Sequence, residues 1–280
     1  MVKSLMIQGT SSGSGKTILV TALCRIFSDM GYTVSPFKAQ NMSNYSFSTK
    51  EFEISRAQAI QAIAAKTKIS PLQNPILLKP LGNYQSSVFI KGKFFKKMYA
   101  KDYYEKFVLK KAMKLVTDCF NELSKSNEIL FLEGAGSPAE VNLQKFDITN
   151  MKIAKKTKSP VLLITDIERG GAFASIVGTM ELIEKKYLEF VKGFVINKFR
   201  GDIEILKPGF QKLTKKTGLP VYGTIPMTKF NIPDEDSIGN SPKSISWNAK
   251  NLKKLDLEIN KIAKVVKSSL NIRKVEKLLE

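Results

Sequence analysis

Residues 9–17 read Gly9-Thr10-Ser11-Ser12-Gly13-Ser14-Gly15-Lys16-Thr17. An apolar run, Leu5-Met6-Ile7, lies before this stretch, and an amphipathic run begins after it at Ile18. This order of strand, glycine-rich loop and helix is what a phosphate-binding loop requires. Glycines let the backbone curl until successive N–H groups point at one anion, and the N-terminus of the following helix adds its dipole. The stretch therefore predicts that the chain binds a nucleoside triphosphate.

Two side chains at the end of this loop carry chemistry. Lys16 is expected to reach the terminal phosphates, and the Thr17 hydroxyl is expected to bind Mg²⁺. The spacing departs from the usual G-x-x-x-x-G-K-[ST] pattern, because Thr10 stands at the first glycine position and Gly9 lies one residue earlier. A Ser/Gly turn that only caps a helix is the simpler alternative. The Gly-Lys-Thr ending and the flanking runs disfavour it.

The composition indicates a soluble globular protein of a reducing cytoplasm. The 280 residues are 43% hydrophobic and 25% charged, which is ordinary for a folded domain. No run approaches the roughly 18 apolar residues of a membrane helix, and because the first predicted strand lies close to Met1 we expect no cleaved leader. Cys24 and Cys119 show neither metal-ligand spacing nor a disulfide framework, so we expect both to pack in the core.

The formal net charge of +20 raises the question of nucleic acid binding. Lysines are spread over nearly every predicted helix, as is typical of solvated faces, so a nucleic acid partner is disfavoured. A positive cleft that attracts a polyanionic small substrate is favoured instead. The sequence contains no histidine, which excludes Ser-His-Asp and Cys-His-Glu triads and any imidazole general base within it.

Short apolar runs alternate with amphipathic stretches of helix length along the chain. A run such as Val161-Leu162-Leu163-Ile164 suits a strand in a parallel sheet that is covered on both faces. The alternation predicts an α/β fold with a doubly wound, mostly parallel sheet, whose active groups lie at the carboxyl ends of the strands. The predicted strands are 3–8, 33–37, 129–133, 161–166, 191–197 and 221–225, and the predicted helices are 16–30, 53–67, 101–124, 174–186 and 207–217.

Two segments depart from this alternation. Residues 76–93 contain two short strand-like runs around a Gly-Asn-Tyr-Gln turn, and we expect an antiparallel extension at the edge of the sheet. The polar, turn-rich stretch from Pro233 to Asn251 indicates a linker, and residues 252–280 have helical periodicity. We therefore expect a domain over 1–238, followed over 239–280 by a linker and a helical tail that packs on it.

Polar side chains gather where the predicted strands end. The second strand leads into Phe37-Lys38-Ala39-Gln40-Asn41-Met42-Ser43, and a fully apolar strand ends in Glu133. A carboxylate delivered beside a phosphate loop is the Mg²⁺-side element of many nucleotide sites. Two further strands end in Asp166 and in Asn197, and an amide at the latter position can recognise adenine. A polar loop satisfied by water is the alternative for residues 37–43, but its location favours contact with substrate or phosphate.

Together these segments closely resemble cobyric acid synthases, the corrinoid amidases of cobalamin biosynthesis. The phosphate loop alone indicates only the wider superfamily that includes dethiobiotin synthetases and partition ATPases, whereas Phe37–Ser43, Glu133–Glu140 and Asp166–Gly171 are far more specific. The resemblance spans residues 1–238 and implies a P-loop NTPase fold of the dethiobiotin-synthetase-like type. It is carried by Gly9–Thr17, Phe37–Ser43, Glu53–Ala59, Asn74–Pro80, Glu133–Asn142, Asp147–Met151, Asp166–Thr179 and Lys192–Asp202, and it ends in Asp234–Ser237.

The resemblance implies a ligase that converts corrin side-chain carboxylates to amides at the expense of ATP. A family member takes adenosylated cobyrinic a,c-diamide and amidates four further carboxylates to give cobyric acid. A carboxylate is a poor acyl donor, so the γ-phosphate is first passed to it, and ammonia attacks the acyl phosphate. Because both partners are anions, cationic side chains, Mg²⁺ and backbone N–H groups must neutralise the transferring phosphoryl group.

The resemblance also implies a role for each matched residue. ATP would be bound by Gly9, Thr10, Ser11, Ser12, Gly13, Ser14, Gly15, Lys16 and Thr17, with Asn197 at the adenine. Mg²⁺ would be bound by Thr17, Glu53 and Glu133, and the catalytic residues would be Lys16, Lys38 and Asp147. The substrate would be bound by Gln40, Asn41, Ser43, Lys79, Ser137 and Arg169.

One part of the family pattern is missing from this sequence. Members normally carry a C-terminal glutamine amidotransferase domain with a nucleophilic Cys and a His, whereas this sequence ends at Glu280 without a histidine. We therefore expect ammonia to come from a separate glutaminase subunit or from free ammonia. No membrane partner is expected, and a homodimer is compatible with the sequence.

Two other functions stay open at the level of sequence. A carboxylate-activating ligase of the dethiobiotin-synthetase type would take a smaller acid, and the matches at Phe37–Ser43 and Ser137–Asn142 disfavour it. A partition-type ATPase that dimerises on DNA or a membrane would suit the basic surface. Such switches commonly carry a second lysine early in the loop, where this chain has Thr10-Ser11-Ser12.

Overall fold

A six-stranded parallel sheet lies at the centre of the molecule. The computed structural model describes residues 2–233 and 247–280. Every strand of the central sheet was predicted to within two residues at its ends. From one edge to the other the strands are β12 (Val221–Pro226), β11 (Val191–Phe199), β10 (Val161–Asp166), β1 (Lys3–Gly9), β9 (Ile129–Glu133) and β2 (Val34–Phe37).

Helices cover both faces of this sheet, so the doubly wound α/β prediction is confirmed. Successive side chains of β1 alternate between two cores: Leu5 and Ile7 join one, and Met6 joins the other. The core that contains Leu5 is covered by α1 (Lys16–Asp29), α2 (Arg56–Ala64), α9 (Ala249–Ser269) and α10 (Ile272–Lys277). The core that contains Met6 is covered by α4 (Met113–Leu123), α5 (Met151–Thr157), α6 (Ala172–Leu182), α7 (Lys185–Leu188) and α8 (Lys207–Thr217).

Residues 76–93 do form an antiparallel hairpin, but its predicted place at the edge of the central sheet is wrong. The hairpin belongs to a separate four-stranded sheet, because the chain turns after β2 and its next strand pairs in parallel with the hairpin. The amide of Asn74 fixes that turn by donating to the carbonyl of Lys38 over 3.2 Å. In order, this sheet consists of β3 (Gln40–Met42), β6 (Ile76–Gly82), β7 (Gln85–Ile90) and β8 (Lys93–Tyr99).

The predicted helix 53–67 starts too early. Its first residues pair in a short hairpin, β4 (Ser46–Ser48) with β5 (Glu53–Ser55), and α2 begins only at Arg56. The helix 101–124 is α3 (Ala100–Asp102), a π-helical stretch Tyr103–Ala112 and α4 in succession. The helix 174–186 divides into α6 and α7. Short 3₁₀ turns span Pro71–Gln73, Gln144–Phe146 and Ile203–Leu206.

The long helix α9 packs along α1 and reaches β12. Its residues Ile259, Ile262 and Val266 are fully buried. Residues 234–246, which include most of the expected linker and Asp234–Ser237, lie outside the described residues. Over the described ranges, 2–233 and 247–280, no helix combines the length and the apolar character needed to cross a membrane.

Candidate active site

The loop between β1 and α1 is tightly folded at two glycines. A Cβ at Gly9 would lie 2.2 Å from Ser14 Oγ and 2.9 Å from Lys16 Nζ, so this position accepts no side chain. This explains the displaced spacing, since the close approach falls on Gly9 rather than on Thr10, whose hydroxyl donates to Thr165 Oγ1 at 2.9 Å. Gly15 has a φ of +101°, in the left-handed region that favours glycine.

The ammonium group of Lys16 lies between the loop and the end of β9. Its Nζ donates to the carbonyl of Ser11 at 3.0 Å and to the carbonyl of Gly136 at 3.1 Å, and the residue is buried. An ammonium group in this position faces the loop that would hold the phosphates. It also faces the turn at Gly136, which follows β9 and is called the Gly136 turn below. The geometry suits a charge that contacts a phosphate at its transferring end.

The carboxylate of Glu133 is the meeting point of three elements. Thr17 Oγ1 donates to its Oε1 at 2.8 Å, and Lys38 Nζ forms an ion pair with the same oxygen at 2.7 Å. The amide of Gln61 donates to the other oxygen, Oε2, at 2.6 Å. Glu133 and Lys38 are 1% and 3% exposed, so a buried charge is balanced here by a buried countercharge. Three segments far apart in sequence therefore meet on one carboxylate.

The residues present fit a magnesium-bound triphosphate. Mg²⁺ prefers oxygen ligands, and the Thr17 hydroxyl and the Glu133 carboxylate present two oxygens at the mouth of the loop. Glu133 Oε1 already bonds a cationic group, the Lys38 ammonium. The buried Ser14 Oγ has no hydrogen-bond partner among the described residues, and it lies within the same loop.

Asn197 holds the loop from the side opposite Glu133. Its Nδ2 donates to the carbonyl of Ser14 at 2.9 Å, and a Cβ at Gly15 would lie 2.0 Å from the same atom. Beside it is a cavity of about 340 Å³, and adenine recognition by Asn197 stays a prediction. The cavity is lined by residues that include Gly13, Gly15, Lys16, Thr17, Ile18, Ala57, Asn197, Pro226, Met227 and Phe230.

Glu53 and Lys79 form a second charged group. Their carboxylate and ammonium lie 2.5 Å apart, and Ser46 Oγ also donates to Glu53 Oε1. Burial acts to raise the pKa of Glu53, but hydrogen bonds from Lys79 and Ser46 outweigh it and hold that pKa below its ordinary value. The structure thus pairs Glu53, a predicted metal ligand, with Lys79, a predicted substrate residue. The side chains described as bonding Glu53, Lys79 and Ser46, are different from those described as bonding Glu133.

The predicted substrate residues after β2 have structural partners. Gln40 Oε1 accepts the Tyr103 hydroxyl at 2.5 Å, and Ser43 Oγ accepts the N–H of Tyr45 at 3.0 Å. The amide of Asn41 is 4% exposed and donates to Ser55 Oγ at 2.6 Å. The structure therefore places this loop against Glu133 through Lys38, with Asn41 turned inward rather than toward solvent.

Asp147 holds the turn that leads into α5. Its Oδ1 accepts the N–H groups of Thr149 at 2.9 Å and Asn150 at 2.7 Å, and its Oδ2 accepts the N–H of Lys152 at 2.9 Å. Both carboxylate oxygens thus support the backbone, and a role of Asp147 in catalysis stays a prediction. Asp147 nevertheless lines a cavity of about 330 Å³ beyond the Gly136 turn, together with Gln40, Met42, Tyr104, Ser137 and Phe146.

Of the remaining predicted substrate residues, Ser137 lines this cavity and Arg169 is not among its described lining. Ser137 lines it, and its hydroxyl accepts the N–H of Ala139 at 3.2 Å. Arg169 is exposed in the turn after β10, and the described lining of the cavity does not include it.

Sequence reasoning missed Gln58 and Gln61, both fully buried. The available signal was a pair of glutamines three residues apart in a helix whose other residues after Arg56 are all apolar.

Comparisons with known proteins match most of the chain to one nucleotide-binding family. The model of the CbiA family, described as the CobQ/CobB/MinD/ParA nucleotide binding domain, matches residues 5–236. The probable cobyric acid synthase of Thermococcus onnurineus is 51% identical over 247 residues, which are 87% of this chain and 50% of that protein. The cobyric acid synthase of Clostridium novyi is 52% identical over 237 residues, which are 84% of this chain and 46% of that protein. The chain thus spans about half the length of the curated relatives that it matches.

Among solved structures, the signal recognition particle receptor FtsY of Elizabethkingia anophelis is 15% identical, with a TM-score of 0.48, over 82% of this chain and 60% of that one. At that distance the likeness adds nothing to the topology described above. The resemblance to cobyric acid synthases is confirmed by the sequence relatives. The chain belongs to the CbiA family, the CobQ/CobB/MinD/ParA nucleotide binding domains.

Proposed function

We propose that this chain is the ATP-dependent synthetase part of a cobyric acid synthase. It would transfer the γ-phosphoryl group of ATP to a carboxylate of cobyrinic a,c-diamide and let ammonia convert the acyl phosphate to an amide. One observation carries the proposal: Thr17 of the phosphate loop and Lys38 of the loop after β2 meet on the same Glu133 oxygen, at 2.8 and 2.7 Å. A phosphate loop and a predicted substrate segment that meet at one carboxylate would hold phosphoryl donor and acceptor close together, as the transfer requires.

The charges around Glu133 suit a transfer between two anions. Lys16 lies between the loop and the Gly136 turn, and Lys38 lies on the acceptor side of Glu133. Both ammonium groups are buried, so their interaction with a phosphoryl group would be stronger than in water. Mg²⁺, when bound by Thr17 and Glu133, would supply further positive charge at the terminal phosphates.

The proposed reaction has two steps that balance. A carboxylate oxygen of the acceptor attacks the γ-phosphorus, the bond to the β-phosphate oxygen breaks, and ADP leaves. Ammonia then attacks the acyl carbon, the bond from carbon to the phosphate oxygen breaks, and inorganic phosphate leaves while the nitrogen loses one proton. The ammonia would come from a separate glutaminase or from solution, and the cavity beyond Gly136 is where an acceptor arm would enter.

Incubation of the purified chain with Mg-ATP, cobyrinic a,c-diamide and an ammonium salt tests the proposal. We expect ADP and amidated corrinoids to appear together, in a ratio of one ADP per amide formed. The Lys38→Met variant should form neither product at a measurable rate. Failure to form any amide, either with the ammonium salt or with an added glutaminase and glutamine, would overturn the proposed function.

A further inference from the structure

A chain of buried amides runs from Asn41 in β3 to Glu133. Asn41 Nδ2 donates to Gln58 Oε1 at 3.2 Å, and Gln58 Nε2 donates to Gln61 Oε1 at 3.3 Å. Gln61 Nε2 then donates to Glu133 Oε2 at 2.6 Å. Each amide accepts on its oxygen and donates on its nitrogen, so the whole chain points toward the carboxylate.

These amides lie where an apolar side chain would ordinarily be expected. The helix α2 has the sequence RAQAIQAIA, and of its nine residues only Ile63 is not buried. Gln58 and Gln61 are both 0% exposed, and Asn41 is 4% exposed. Burying an amide costs free energy unless its hydrogen bonds are made, so three linked amides in a core need a compensating partner. The charged oxygen of Glu133 is that partner, and hydrogen bonds to charged groups are the strong ones.

The contact with Gln61 also restrains the plane of the Glu133 carboxylate. Oε2 is taken by Gln61, whereas Oε1 faces Thr17 and Lys38. Without the amide, the carboxylate could rotate about its last torsion, and its buried Oε2 would lack this donor. The amide therefore fixes the orientation of the oxygen that faces the predicted metal ligand Thr17.

We propose that Gln61 is a positioning residue for the Glu133 carboxylate and that Gln58 links it to Asn41 in β3, among the predicted substrate residues. The inference rests on the proposed function, because it concerns Mg²⁺ held with a nucleotide at Thr17 and Glu133. In this scheme Gln61 contacts neither the nucleotide nor Mg²⁺ and acts through its hydrogen bond to Glu133. Outer-shell partners of this kind change metal affinity by about 10- to 100-fold when they are removed.

The test measures Mg²⁺ binding rather than amide formation. A non-hydrolysable ATP analogue is titrated into the full chain by calorimetry, with and without Mg²⁺, and the Mg²⁺ concentration for half-maximal enhancement is determined. We expect Gln61→Leu to raise that concentration by about 10- to 100-fold. The affinity measured without Mg²⁺ should stay within about twofold of the wild type, because the contacts of Lys16 and Gly9 are kept. Gln58→Leu should give a smaller change in the same direction.

Gln73→Leu is the matched control. Gln73 is also a buried glutamine, but its amide donates to Ser35 Oγ and to the carbonyl of Lys68. It should lower the unfolding temperature while leaving the Mg²⁺ requirement unchanged. Gln61→Met, which keeps the volume of the side chain, provides a second variant if Gln61→Leu does not fold.

A wild-type Mg²⁺ requirement in folded Gln61→Leu or Gln61→Met would overturn the inference, and so would an equal loss of affinity with and without Mg²⁺. If the Gln61 variants show the expected Mg²⁺ shift but the wild-type chain forms no amide, only the proposed function would be overturned.

Discussion

At Gly15 the backbone conformation and the neighbouring side chain both require glycine. Its φ is +101°, and an added Cβ would lie 2.0 Å from Asn197 Nδ2. Gly15→Ala must therefore displace Asn197 from the Ser14 carbonyl besides adopting a left-handed conformation, which costs about 1–2 kcal/mol by itself. We expect a loss of about 2–4 kcal/mol in the free energy of unfolding, together with weaker nucleotide binding.

The Gly13→Ala variant separates the cost of a left-handed conformation from the cost of displacing Asn197. Gly13 also has a positive φ, +72°, but a Cβ there would meet nothing within 4 Å. It should cost only the conformational part, about 1–2 kcal/mol in urea unfolding. Equal losses for the two alanine variants would show that Asn197 does not restrain the loop.

The hairpin of β4 and β5 is tied to the second sheet by the ion pair of Glu53 with Lys79, and Ser46 of the same hairpin also bonds Glu53. Because the folded-state pKa of Glu53 lies below its ordinary value of 4.5, the carboxylate contributes stability above that pH. This contribution is lost as the pH falls through the folded-state pKa. Glu53→Gln should cost about 1 kcal/mol near neutral pH, and the difference from wild type should vanish in acid.

Urea unfolding of both proteins across the acid range measures this dependence. Glu51→Gln serves as the control, since Glu51 is exposed at the tip of the same hairpin. A pH-independent difference for Glu53→Gln would mean that the ion pair with Lys79 does not form in solution.

Elements with a strong local pattern could be predicted from the sequence, and those defined by tertiary pairing could not. The strands of the central sheet are continuous apolar runs, as β10 shows, because both faces of the sheet are covered. The strand β3 has only three residues and exists because β6 pairs with it. The strand β8, with sequence KFFKKMY, is exposed at all positions but one, so it lacks the alternation that marks a half-buried strand.

The same distinction applies to the site. Lys16, Thr17 and Glu133 could be found because a strand or a loop motif marks each of them locally. The contact of Lys38 with Glu133 joins residues 95 positions apart, and the contact of Gln61 with Glu133 likewise joins residues distant in sequence. Glutamines on a helix ordinarily indicate a solvated face, and only the burial of α2 on nearly all sides changes that meaning.

Across the whole molecule, the carboxyl ends of the parallel strands meet at one edge and bring the site together. The ends of β1 and β9 deliver the phosphate loop and Glu133, and the end of β11 delivers Asn197. On the face that carries α1, the helix α9 completes the core with buried side chains that include Ile259, Ile262 and Val266. The helices α9 and α10 therefore contribute to the same core as the phosphate loop helix.

The prediction at this scale is that α9 is essential to the fold. Ile262 is 0% exposed against the α1 core, whereas Leu257, on the same helix, is 62% exposed. Ile262→Asp would place a charge without a countercharge in that core and should cost about 4 kcal/mol or more, a large part of the stability of a typical domain. Leu257→Asp makes the same kind of change in solvent and should alter stability by less than about 0.5 kcal/mol. Thermal and urea unfolding of the two variants compare these costs directly. If both variants matched the wild type, α9 would be an appendage to the nucleotide-binding core rather than part of it.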